Sequence, residues 1–133
     1  MSHTTTTKYI SGMAFETEIN GHKIILDHSP EDLGPTPKPL VLSALAACSG
    51  MDIVPILQKM KVEFSDLSIE VVGELSDEYP KIYHTIKIIY HIHLAADDLE
   101  KMERAVKLSL EKYCGVYAML VKAADISYEI DLV

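Results

Sequence analysis

Gly34-Pro-Thr-Pro-Lys-Pro-Leu-Val-Leu-Ser-Ala-Leu-Ala-Ala-Cys48-Ser-Gly-Met-Asp52 is the stretch that decides the fold. Gly34 with Pro30, Pro35 and Pro37 makes Asp27 to Pro37 a loop leading to a helix start. A helix begins near Pro39, since proline's missing N–H is harmless in a first turn. From Leu40 to Met60 apolar residues cover almost the whole circumference, which predicts a helix buried on most sides. Ser43, Ala44, Ala46, Ala47 and Gly50 allow close packing. Pro55 has no N–H for the carbonyl of Met51, so a kink or a break into two segments is expected about one turn beyond Asp52. Pro39 to Leu57 is the only candidate membrane span, but Ser43, Ser49, Gly50, Asp52 and Pro55 interrupt it. A core helix is the expectation, with no membrane partner.

Upstream, Asn20-Gly21 followed by His-Lys-Ile-Ile-Leu26 is a hairpin signal, because both turn positions need positive φ. Antiparallel strands therefore open the chain. Downstream, Leu67 to Leu75 and Ile82 to Leu94 alternate apolar and polar residues around the turn Ser76-Asp-Glu-Tyr-Pro-Lys81, a second hairpin. Ala96-Asp97-Asp98 supplies a cap and an acidic first turn, and Leu99, Met102, Val106 and Leu110 recur at helical spacing as far as Tyr113. Val116 to Ala124 continues as helix, bent or restarted at Gly115, and Ile126 to Leu132 alternates as a closing strand. The order β-β-β-α-β-β-α-α-β predicts an α+β domain with helices against antiparallel sheet.

The chain has 133 residues, 48% of them hydrophobic, enough for the core of one domain spanning 1–133. A formal charge of -8 and one arginine, Arg104, exclude the clustered cations that nucleic-acid binding needs. Met1 to Lys8 lacks the basic and apolar regions of a secretory signal, so a cytoplasmic location is expected. Thiols are reduced there by default, and any bond between Cys48 and Cys114 would be transient. Two cysteines far apart in sequence are a nucleophile and its resolving partner if the fold brings the sulfurs together; otherwise each is a small buried apolar side chain. Spacing alone leaves both readings open.

The Pro37 to Cys48 entry into a long apolar helix, Glu111-Lys-Tyr-Cys114, and the ending Lys122-Ala-Ala-Asp-Ile-Ser-Tyr-Glu-Ile130 resemble the OsmC/Ohr family, the osmotically inducible and organic hydroperoxide resistance proteins. The resemblance implies antiparallel sheets around a long central apolar helix, an intertwined homodimer, and reduction of organic or inorganic hydroperoxides with electrons from a dithiol donor. It implies Cys48 as the peroxidatic thiol and Cys114 as the resolving thiol, with no cofactor or metal. In the family's peroxidases an acidic residue follows the helix-start proline and pairs with an arginine from the N-terminal half. Here Lys38 stands at that position and Arg104 lies in the later helix, so slower peroxide reduction is expected. The alternatives are other thiol chemistry on the same dimer, or a redox-responsive small-molecule binding module without peroxidase activity.

Other residues are candidates for lining this site. Lys38 supplies a replacement cation or is a solvated lysine at the helix start. Asp52, one turn after Cys48, would disfavour a thiolate there, or else caps or faces water. Tyr113 and Tyr117 flank Cys114 and line an apolar pocket or pack in the core, and Glu111 orients a cation or pairs with Lys107. His91 and His93 share a strand face as two metal ligands would, but no third ligand is evident, and an exposed polar face is favoured.

Overall fold

The computed structural model describes residues 1–133 as two compact units, Met1–Val41 and Leu42–Val133. In the first, β1 (Thr5–Ser11), β2 (Ala14–Ile19) and β3 (His22–Leu26) form an antiparallel meander. Asn20 and Gly21 have φ of 51° and 80°, the double positive that lets a two-residue turn follow the twist of β2 and β3. Asp27 closes the loop after β3. Its buried carboxylate accepts hydrogen bonds from the Leu33 amide (3.0 Å) and from the Ser29 hydroxyl (2.8 Å) and amide (2.9 Å), which hold its pKa below the usual range. Gly34 is required in this loop: a Cβ there would lie 1.9 Å from the Ile25 carbonyl oxygen.

Helix α1 runs Pro37–Lys59, two residues earlier than expected, and passes through Pro55 without breaking. The carbonyl that Pro55 cannot satisfy belongs to Met51, a residue 75% exposed, where water can take over. The helix ends in a Schellman turn: Val62 N donates to Leu57 O (3.0 Å), Lys61 N to Gln58 O (3.0 Å), and Lys61 adopts φ 58°.

In the second unit, β4 (Phe64–Leu75) pairs with β5 (Tyr83–Leu94), and β5 is the centre of a sheet completed by β6 (Asp125–Leu132). Strands β4 and β5 are antiparallel, but β5 and β6 are parallel, so the sheet is mixed rather than wholly antiparallel. The cause lies in the connection. A helical crossover of about 30 residues carries the chain back to its starting end, whereas a hairpin reverses it. That crossover consists of a short 3-10 turn (Ala96–Asp98), α2 (Leu99–Leu108), a π-helical turn (Ser109–Tyr113) and α3 (Gly115–Leu120). The helix expected to reach Tyr113 unbroken thus changes pitch at Ser109, and the chain restarts as helix at Gly115.

The core follows the two periodicities. Ile86, Ile88, Tyr90, Ile92 and Leu94 alternate inward from β5, and Met102, Ala105, Val106 and Leu110 form the buried stripe of the α2 region. From α1 come Leu45, Ile53 and Leu57, in one cluster with them. Each fully buried aliphatic of this set contributes about 1.5–3 kcal/mol relative to exposure. Only Leu45, Ser49, Ile53 and Leu57 of α1 are buried, one stripe at four-residue spacing instead of the near-complete burial its composition implies. In length and hydropathy α1 would suit a bilayer crossing, but that fully buried stripe is part of the unit's core.

The outer face of the sheet carries the histidines. His91 faces Asp131 Oδ2 through Nδ1 (2.8 Å) and Glu70 Oε1 through Nε2 (3.0 Å), linking β5 to both neighbours, and His93 Nδ1 donates to the Val133 carbonyl (2.6 Å). No cluster of three metal-ligating side chains forms. Because two carboxylates accept from one ring, the Glu70 bond first and the Asp131 bond second raise the His91 pKa above 6.5. A raised folded-state pKa means the stabilisation is fully present below the unfolded value and is lost as pH rises through the folded one. An NMR titration is therefore expected to place the His91 midpoint above 6.5, and His91→Gln should destabilise the protein at pH 6 but progressively less as pH rises past that midpoint. A midpoint at or below 6.5 would show that the two carboxylates do not hold the ring protonated.

Candidate functional site

Cys48 sits on α1, half-buried against the core cluster and next in sequence to the buried Ser49. Cys114 is buried at 2% exposure, at the break between the π turn and α3, with an extended backbone (φ -75°, ψ 101°). Its position follows from the π turn: the Cys114 N–H reaches back five residues to the Ser109 carbonyl (2.6 Å). Its sulfur then caps α3, accepting from the Tyr117 N–H at 3.4 Å.

The two thiols, 66 residues apart in sequence, lie near enough for Cys48 to raise the Cys114 pKa, and both are free. Burial is the main reason that the Cys114 thiol is pushed up to about 11, and the adjacent Cys48 and the Asp52 carboxylate add to it, against a lowering by the Tyr117 amide. The pair is therefore asymmetric, with one thiol half-open to solvent and the other deep and held protonated.

Beside the thiols lies a buried polar chain that the sequence did not single out. Tyr90 OH is 2.7 Å from Ser49 Oγ, Ser49 Oγ is 2.9 Å from Ser109 Oγ, and Ser109 Oγ is 3.0 Å from Asp52 Oδ2. Tyr90, Ser49 and Ser109 have no exposed surface. A hydroxyl has one proton to give, so the direction is forced: Ser109 donates to the Asp52 carboxylate, Ser49 to Ser109, and Tyr90 to Ser49. Burial pushes the Tyr90 phenol up to about 12, so it keeps the proton this chain needs. No buried side-chain polar atom is left without a partner. The available signal was a serine on the buried face of each helical segment, at positions whose neighbours at helical spacing are aliphatic.

The other candidates divide. Asp52 is half-buried and joined to Ser109, and Tyr117 is half-buried against the core with its backbone on Cys114. Tyr113 is 54% exposed with the Lys112 ammonium 5.3 Å from its ring centre, and Glu111 lines an open charged depression with Arg104 and Lys107. Lys38 is exposed in the first turn of α1, within the N-terminal unit. On the other side of α1, an apolar groove of about 670 Å³ is lined by Ala46, Ala47, Gly50, Met51, Val54 and Ile69 among others.

A mixed sheet crossed by a long apolar helix, with one thiol on that helix and a second at a helical break, defines an α+β thiol-pair protein. The OsmC-like protein family matches residues 29–129, and the chain belongs to that family. Protein YhfA of Escherichia coli K12 is 36% identical over 129 residues, spanning 95% of each chain. The crystal structure of a hypothetical protein from Aquifex aeolicus VF5 has a TM-score of 0.85 at 30% identity and covers 100% of this chain and 98% of its own. The organic hydroperoxide resistance protein OhrB of Bacillus subtilis, at 18% identity, shares the fold with a TM-score of 0.67 over 98% of both chains.

With its thiol raised to about 11 and buried, Cys114 is expected to react with iodoacetamide at pH 8 at least about tenfold more slowly in the native protein than in urea. Peptide mapping by mass spectrometry over a time course reads this directly. Equal rates in the two states would show that the deep thiol is neither shielded nor held protonated.

Proposed function

We propose that this protein is a cytoplasmic, thiol-dependent peroxidase of OsmC type, a homodimer in which the chain acts as a single domain and needs no cofactor. The observation that carries this reading is the proximity of half-buried Cys48 to buried Cys114, both as free thiols. Cys48, as thiolate, attacks the outer oxygen of a small hydroperoxide; the O–O bond breaks, an alcohol leaves after taking up a proton, and Cys48 becomes a sulfenic acid. Cys114 then attacks the Cys48 sulfur, forming the disulfide and releasing water, and a dithiol donor returns both thiols at the cost of its own oxidation. Burial of Cys114 suits the resolving role, because a protonated, shielded thiol is spared direct oxidation until its neighbour has reacted.

The dimer is supported by α1. Its second apolar face forms the groove with Ile69 and Leu67, and Met51 projects there 75% exposed, more apolar surface than a soluble helix of this size usually leaves uncovered. A second copy presents the same face and so buries both. Wild-type protein at micromolar concentration is expected to sediment at twice the 14.8 kDa chain mass, and Met51→Glu to shift it toward the monomer. A folded wild-type monomer under those conditions defeats the dimer.

A steady-state assay with cumene hydroperoxide and dithiothreitol tests the activity. Cys48→Ser should abolish turnover. Cys114→Ser should leave a single burst of peroxide consumption followed by over-oxidation of Cys48, and non-reducing mass spectrometry of the wild type should show the Cys48–Cys114 linkage. Turnover is expected to be slower than in relatives with an arginine and acidic pair, since the only arginine, Arg104, lies in α2. Linkage without turnover would favour a redox-responsive binding module instead.

A further inference from the structure

The two segments that carry the thiols are tied together by hydroxyls. Ser49 follows Cys48 on α1, and Ser109 opens the π turn whose five-residue hydrogen bond delivers Cys114. Their contact at 2.9 Å is therefore a link between the two thiol carriers, made with both side chains fully buried. An apolar pair of similar volume would fill this space without the cost of desolvating two hydroxyls. What hydroxyls add is direction: a hydrogen bond weakens steeply when its angle is lost, so it fixes the register of two segments that apolar contacts would let slide. Asp52 anchors the far end, and Tyr90 on β5 holds the near end to the sheet.

We propose that Ser109, acting through Ser49 and anchored by Asp52, is a positioning residue that aligns Cys48 and Cys114 for closure of their disulfide. The proposal rests on the reading that these thiols form a disulfide; it adds which groups make that closure favourable. A disulfide demands a sulfur separation near 2.05 Å and a narrow range of Cα separation and torsion, so thiols already held in register lose little freedom on bonding. With glutathione disulfide as the oxidant, the Cys48 and Cys114 S–H bonds and the glutathione S–S bond break, the Cys48–Cys114 S–S bond forms, and the two electrons and two protons leave on two molecules of glutathione thiol.

The test is the equilibrium constant for this exchange in glutathione buffers, read by acid quenching, alkylation and intact mass. Wild type, Ser109→Ala, Ser109→Thr and Tyr90→Phe are compared. Ser109→Ala is expected to lower the constant about tenfold, the scale of one lost buried hydrogen bond with its partners left unpaired. Ser109→Thr, which keeps the hydroxyl, is expected within about twofold of wild type. Ser109→Ala within twofold of wild type overturns the proposal, and so does Ser109→Thr falling as far as Ser109→Ala, since volume rather than the hydroxyl would then be responsible. If Ser109→Ala loses its cooperative thermal transition, Tyr90→Phe decides: it removes the first donor, keeps the ring, and is expected to lower the constant about threefold. No change in Tyr90→Phe would then overturn the proposal. A wild type that forms no Cys48–Cys114 disulfide in these buffers also overturns it. No peroxide enters this measurement, so a protein that lacks hydroperoxide turnover but shows the Ser109 dependence defeats the peroxidase reading alone.

Discussion

The hydrogen bond between Ser49 and Ser109 joins the helix that carries Cys48 to the turn that ends at Cys114, and it does so with no exposed surface on either serine. Net, a bond of this kind contributes about 0.5–1.5 kcal/mol, but leaving one such hydroxyl unpaired costs about 1–3 kcal/mol. The penalty for breaking it exceeds the gain from making it. Each member of the chain from Tyr90 to Asp52 depends on the next, because every hydroxyl has its proton committed. The π turn belongs to the same constraint: its wider pitch lets Ser109 face inward while the Ser109 carbonyl still accepts from the Cys114 N–H.

Burial and electrostatics make the two thiols unlike. Asp52 is the nearby charge, and it disfavours rather than favours a second negative group, in a chain whose formal charge is already -8. Burial is the larger cause that keeps Cys114 protonated, with Asp52 adding to it, and burial does the same for Tyr90. In this chain the only guanidinium lies on α2 beside Lys107 and Glu111, in an open charged depression. The site thus holds its deeper thiol, Cys114, protonated beside the tied pair Ser49 and Ser109.

Helix α1 shows how one element meets two demands. Its buried stripe, Leu45, Ser49, Ile53 and Leu57, serves the core, while Ala46, Ala47 and Gly50 keep the groove face flat enough for close approach. A Cβ on Gly50 would come within 3.0 Å of the Ile69 side chain, so glycine sets the spacing between α1 and β4 there. Pro55 removes one helical hydrogen bond without ending the helix, and the residue it would have bonded, Met51, is largely exposed.

The order of elements was legible in the sequence because it rests on local physics: period-two alternation in β5, positive-φ turn residues at Asn20-Gly21, and helical spacing from Leu99. The α+β class and the two cysteine segments followed from the same patterns. The parallel pairing of β6 was not legible, because alternation fixes which face a residue takes and says nothing about a strand's direction. Nor was the change of pitch at Ser109, which adds one residue to a turn without disturbing the apolar spacing before it. Composition alone made α1 look buried all round; the fold leaves one face of it open, since a single sheet and one crossover cover only one stripe. The meeting of Cys48 with Cys114, and of Ser49, Tyr90 and Ser109 beside them, was decided by tertiary structure, because those contacts join residues 41 to 66 positions apart and no local rule brings such residues together.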